Sequence, residues 1–117
     1  MTPEMRATVE LADDAAGCPD VSPEPERQRY AAISRALADP KRLCVLELLA
    51  GGERSVSDLS REARCQIPNM SQHLAVLRSS GLVATRRDGS AVLYRLSDPR
   101  VLEAYQLIRS LADVRPA

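Results

Sequence analysis

Apolar positions recur with helical spacing along most of the chain, then switch to short strand-like runs near residue 82. From about Glu26 to Ala38, Tyr30, Ile33 and Leu37 fall on one helical face. Asp39-Pro40 restarts the chain, with Asp39 as N-cap and Pro40 at the first helical position. The second helix turns Leu43, Leu46 and Leu49 inward and ends at Gly51-Gly52. Ser55 or Ser57 can cap a third helix that runs to about Ala63. Pro68 fits the first turn of a fourth, where its missing N–H is tolerated. That helix buries Leu74 and Leu77 and stops at Gly81 in a left-handed cap.

Leu82–Arg86 and Ala91–Leu96 then read as two strands of a ribbon, with Asp88-Gly89 as the hairpin turn between them. A last helix follows Asp98-Pro99. Val101, Tyr105, Ile108 and Ala112 form one apolar stripe on it, and Ala104, Leu107 and Leu111 form another. One stripe can seal the protomer. The other needs a cover, which a two-fold partner supplies most economically.

Ahead of these elements, residues 1–25 carry four prolines and an Ala/Asp-rich run. They allow a short helix around Met5–Ala12, but Gly17-Cys18-Pro19 and Ser22-Pro23-Glu24-Pro25 interrupt regular structure. The expected organisation is an acidic flexible arm over residues 1–25 and one globular domain over residues 26–117. There are no internal repeats.

Composition narrows the picture in two ways. The chain has 117 residues, 44% of them apolar, with no Phe or Trp, so its core must be Leu, Val, Ile, Ala and a few Tyr. Such a small domain buries proportionally little surface and gains from dimerising. No apolar run approaches the roughly 20 residues that span a bilayer, and no signal peptide is read at the start. The three cysteines are odd in number and widely spaced, which suits reduced thiols in the cytoplasm better than a disulfide framework.

The formal net charge of zero conceals a segregation. Residues 1–26 hold seven acids against one base, residues 27–95 hold twelve bases against six acids, and the remainder balances. A basic middle suits a polyanionic partner. A short helix rich in hydrogen-bonding side chains, followed by a basic ribbon, is the arrangement a winged helix-turn-helix lays on duplex DNA.

Several segments occur in the order and spacing of a known family. They are Ala36-Leu37-Ala38-Asp39-Pro40-Lys41-Arg42, Ser57-Asp58-Leu59, Ser71-Gln72-His73-Leu74, Leu77, Gly81-Leu82-Val83 and the Asp88-Gly89 wing. Over about residues 27–113 the chain resembles the ArsR/SmtB family of dimeric winged-helix repressors. The resemblance implies a mainly α fold with a small β-hairpin, five or more helices plus a wing. It also implies a homodimer joined through terminal helices, double-stranded operator DNA as partner, and repression until an inducer binds.

Asn69, Ser71 and Gln72 lie near the start of the fourth helix, where helix-turn-helix proteins meet base edges. Asn and Gln can pair bidentately with adenine. The plainer reading of these residues is capping and solvation. His73, the only histidine, is grouped with them as a packing or phosphate-contacting residue, neither a metal ligand nor catalytic. Arg78, Arg86 and Arg87 are candidate phosphate contacts, which position a protein without reading sequence.

The metal-binding patterns of the family are absent. Relatives with a site on the third helix resemble ELCVCDL, whereas this chain has Glu53-Arg54-Ser55-Val56-Ser57-Asp58-Leu59, with serine at both cysteine positions. Serine is a poor ligand for soft metals. Relatives that use the last helix carry Asp and His pairs, and here that helix has no His. Cys18, Cys44 and Cys65 remain. Cys44 reads as a small buried apolar residue. Cys65 and Cys18 read as more exposed, and Arg64 together with the following helix start favours the Cys65 thiolate. The expected sensor is Cys65 joined by Cys18, taking As(III) or another soft metal ion as inducer, or undergoing oxidation. The alternatives are a non-metal inducer or none, with the cysteines incidental, and a winged-helix protein-interaction module. Enzyme motifs are absent: there is no phosphate-cradling Gly loop, no HExxH and no triad.

Overall fold

A computed structural model describes residues 21–113. The suggested helix around Met5–Ala12, Cys18 and nearly all of the expected arm lie outside the described residues. The chain divides into two compact units, Met1–Ala32 and Ile33–Ala117.

The described part of the first unit holds the opening turns of α1 (Glu24–Ala36). The helix starts two residues earlier than expected. Pro25, expected to interrupt regular structure, lies in the first turn, where no intrahelical N–H is needed. The Pro23 carbonyl accepts from the N–H groups of Glu26 and Arg27, both at 3.1 Å. Arg27 pairs with Glu24 and also reaches the Ser22 carbonyl.

In the second unit follow α2 (Pro40–Ala50), β1 (Arg54–Ser55), α3 (Val56–Glu62), α4 (Ile67–Ser79), β2 (Val83–Asp88), β3 (Ala91–Leu96) and α5 (Pro99–Ala112). Their boundaries follow from local chemistry. Asp39 caps α2, accepting from the N–H groups of Lys41 at 2.8 Å and Arg42 at 3.1 Å. Ser55 caps α3 through the Asp58 N–H, and Asp98 caps α5 through the Arg100 N–H. Ser55 is therefore the cap of the third helix, and Ser57 is not.

Both helices of the helix-turn-helix close alike. After α4, the Gly81 N–H bonds to the Arg78 carbonyl and the Leu82 N–H to that of Leu77, with Gly81 at φ 82°. After α3, the Arg64 N–H bonds to the Arg61 carbonyl and the Cys65 N–H to that of Ser60, with Arg64 at φ 55°. Both are Schellman closures, which normally place glycine in the left-handed position. Arg64 fills that position without glycine's freedom and carries the associated strain. The Leu82 N–H is spent on the closure of α4, so β2 begins at Val83.

The sheet is three-stranded and antiparallel, in the order β1-β3-β2. The sequence shows only the two-stranded ribbon. The third strand is two residues long, with Arg54 opposite Tyr94 and Ser55 opposite Leu93. Asp88 pairs with Ala91, so the loop residues are Gly89 and Ser90, one position later than the expected Asp88-Gly89 turn. Gly89 alone takes positive φ, 65°, as the first loop residue of a type II′ turn does.

The core gathers Ala36, Val45, Leu46, Leu49, Leu59, Ala63, Met70, Leu74, Leu77, Leu82, Val83 and Val101. It is aliphatic, as the lack of Phe and Trp requires. Leu43 is only half-buried, and Val45 takes its place as an inward residue of α2. On α5, Val101 and Tyr105 are buried, whereas Leu107, Ile108 and Leu111 are 68%, 42% and 74% exposed. Ile108 therefore joins the outward stripe, not the sealing one. Among the described residues, no helix is long and apolar enough to cross a membrane.

Candidate nucleic-acid interface

Packing divides α4 into two faces. Met70, Leu74 and Leu77 are fully buried, and this fixes the helix against the core. Asn69, Ser71 and Gln72 are exposed, and His73 lies at the edge. Asn69, Gln72, His73 and Val76, spaced at three- and four-residue intervals, line one open groove of about 310 Å³ together with Arg42 of α2. The structure thus brings together three of the expected residues, Asn69, Gln72 and His73. Ser71 is exposed in the same first turns, and Arg78 is exposed at the far end of the helix.

The start of α4 differs from those of α2, α3 and α5. Gln66 stands at its N-cap without a side-chain cap, and Pro68 occupies the first turn. Uncapped N–H groups at a helix start are suited to phosphate oxygens.

Sequence reasoning missed what lies behind the groove. The Arg42 Nε donates to the Ala36 carbonyl at 2.7 Å and its Nη2 to that of Arg35 at 3.0 Å, which satisfies the last carbonyls of α1. The His73 Nδ1 lies 3.9 Å from Asp39 Oδ1. One cap residue therefore faces both its own helix and the recognition helix. The segment Asp39-Pro40-Lys41-Arg42 was the available signal, but helix-start chemistry alone explained it.

The Arg42 N–H donated to Asp39 holds its carboxyl below the usual carboxylate value. Desolvation opposes the shift, while the nearby charges of His73 and Arg42 and the Lys41 N–H add to it. A carboxylate with lowered folded pKa contributes stability that is complete above its unfolded pKa and is lost as pH falls through the folded value. Asp39→Asn keeps a capping oxygen but removes the titration. Its unfolding free energy should fall less steeply than the parent's below about pH 4, near the unfolded Asp pKa, as urea titrations across that range would measure. Parallel acid limbs would remove Asp39 from the acid response.

On the wing, the two candidate arginines differ. Arg86 is held by Glu53, with Nε 3.0 and 2.8 Å from the two carboxylate oxygens and Nη2 2.7 Å from Oε1. This fork lowers the Glu53 pKa and raises that of Arg86, and Arg95 adds to the effect on Glu53. Arg87 is exposed opposite Val92 and, like Arg78, has no ion pair among the described residues.

Cys44 and Cys65 are free thiols, each half-buried and packed against the core cluster. Cys65 is thus less exposed than expected, because the closure after α3 folds it back onto that helix. Its Sγ lies 3.6 Å from the Gln66 carbonyl oxygen. Among the described residues, no three His, Cys, Asp or Glu side chains gather as a metal site would require.

Residues 39–85, from the cap of α2 into the wing, match the profile of the bacterial regulatory protein, arsR family. An uncharacterized HTH-type transcriptional regulator of Mycobacterium tuberculosis is 39% identical over 89 residues, covering 75% of this chain and 78% of that protein. The chain belongs to the arsR family. It is a DNA-binding transcriptional repressor of the ArsR/SmtB type, with a winged helix-turn-helix fold, and not an enzyme. A probable mercury resistance operon repressor of Streptomyces lividans is 42% identical over 78 residues, covering 67% of this chain and 62% of that protein. The solution NMR structure of a homodimeric winged helix-turn-helix DNA-binding domain from Mycobacterium bovis, a possible ArsR-family regulator, superposes with a TM-score of 0.74. It shares 34% identity, covering 84% of this chain and 90% of that one.

Proposed function

We propose that the chain is a cytoplasmic homodimeric repressor that lays α4 in the major groove of a palindromic operator and is released by an inducer. The observation that carries this reading is the two-faced α4. Its inner face is anchored by three fully buried side chains, and Asn69, Gln72 and Val76 stand outward along one groove. In this reading Gln72 and Asn69 read base edges. Ser71, His73, Arg78 and Arg87 contact backbone, and the uncapped start of α4 receives a phosphate. The exposed Leu107, Ile108 and Leu111 of α5 supply the two-fold contact.

The proposed trigger is a thiol-reactive species or soft metal(loid) such as As(III), taken by Cys65 with Cys18. The position of Cys65 supports it: ligation immediately before α4 would move the reading helix, and an inducer acts through its different affinities for two states. Similarity to a mercury resistance repressor points the same way. A second reading has its own support. Both described cysteines pack against the core, which suits a non-thiol inducer and cysteines retained for packing.

A mobility shift on the DNA upstream of the chain's own reading frame separates them. It would be repeated with arsenite, antimonite, cadmium, zinc, hydrogen peroxide and a polysulfide donor. Release by a thiophile that is lost in Cys65→Ser supports the thiol trigger. Release unaffected in both Cys65→Ser and Cys18→Ser eliminates it. Absence of any shift from a dimeric sample would favour a protein-interaction module.

A further inference from the structure

The Glu53–Arg86 fork joins residues 33 positions apart and ties the segment before β1 to the wing. The register explains the meeting. Arg86 and Ser55 flank Leu93 on opposite sides of β3, and Glu53 lies two residues before Ser55, on the same face. Arg95, opposite Ala84, shares that face and acts on the same carboxylate. One acid therefore serves two guanidinium groups on the ribbon's outer side. The fork is not what shapes the wing. Six cross-strand pairs and a two-residue loop already set its register, and partly exposed ion pairs contribute little to stability. Arg86 remains 50% exposed at its side chain, within reach of solvent and anions.

We propose that Glu53 sets DNA specificity by withholding Arg86 from the phosphate backbone. This rests on the reading of the wing as a backbone contact. A phosphate-bound arginine strengthens binding to every sequence equally, and specificity is the ratio of operator to random affinity. Glu53 holds that sequence-independent contribution down twice, by occupying the guanidinium and by placing a negative charge beside a polyanion. The reading of bases by α4 then decides where the protein settles.

The test uses the full chain with Glu53→Gln, Glu53→Ala and Arg86→Gln, and the double variant Glu53→Gln/Arg86→Gln. Binding is measured on the upstream duplex and on a scrambled duplex of equal length over a range of salt, with melting temperature followed in parallel. Glu53→Gln should tighten scrambled-duplex binding by several-fold, reduce the operator-to-scrambled ratio, and steepen the log–log salt slope by about 0.9, the increment for one phosphate contact. The double variant should lose that extra slope. An unchanged slope in both single Glu53 variants, or weaker binding to both duplexes at unaltered melting temperature, would overturn the proposal. A parent protein whose binding ignores salt would remove the wing reading beneath it, an outcome distinguishable because the variants play no part in it.

Discussion

Replacing Leu74 by Ala is expected to lower the unfolding free energy by about 2–5 kcal/mol, the range for emptying a fully buried leucine site. Leu74 has no exposed surface and sits between Met70 and Leu77, which are equally buried, at the centre of the face that anchors α4. Neighbouring aliphatic side chains can collapse only partly into the space, so a cavity contribution adds to the lost transfer energy. Small domains have about 5–15 kcal/mol in total, so this one change removes a large share of the stability. It also removes the constraint that aims Asn69 and Gln72. Val76→Ala is the matching control: it trims the same helix at a side 39% exposed and should change stability little. Urea unfolding at fixed protomer concentration measures both, because a dimer's stability depends on concentration. A loss below about 1 kcal/mol for Leu74→Ala would mean that the site closes up around the smaller side chain, and that α4 is held elsewhere.

The physical origin of each feature decides whether it could be read from the sequence. Helix starts were legible because Asp39-Pro40, Ser55 and Asp98-Pro99 act on backbone groups two or three residues away. The buried face of α4 was legible from spacing, since Leu74 and Leu77 recur at helical intervals. Features that depend on distant partners were not. Strand β1 has two residues and exists only through its pairing with β3, some forty positions on. The grip of Glu53 on Arg86 follows from that register, so a candidate phosphate contact carried a protein partner that no local pattern announced. The approach of His73 to Asp39, and the reach of Arg42 to the end of α1, depend on how helices pack. Ile108 fits either stripe of α5 by spacing, and only tertiary packing sets it outward. Cys65 is drawn inward by a helix closure in which arginine stands where glycine is usual.

Gln72→Ala and Arg87→Ala should separate base reading from backbone holding. Gln72 is exposed on the outer face of α4 and borders the groove with Asn69. A glutamine amide can satisfy an adenine edge with two hydrogen bonds, and a good bidentate pair discriminates by about 1–3 kcal/mol. Its removal should weaken operator binding about 5- to 150-fold by that measure, and leave binding to scrambled duplex nearly unchanged. A two-fold protein places the residue in both half-sites, which pushes the loss toward the upper end. Arg87 is exposed near the hairpin loop with no ion pair among the described residues, so its charge is available to phosphate. Arg87→Ala should weaken operator and scrambled duplex by similar factors and make the salt slope shallower by about 0.9 for each phosphate no longer neutralised. Both residues lie off the core, so melting temperatures should stay close to the parent's and the weaker binding can be assigned to the interface. Equal weakening on both duplexes for Gln72→Ala would place that residue against backbone. An unchanged slope for Arg87→Ala would turn the wing away from DNA, and would leave α4 to supply the electrostatic attraction as well as the reading.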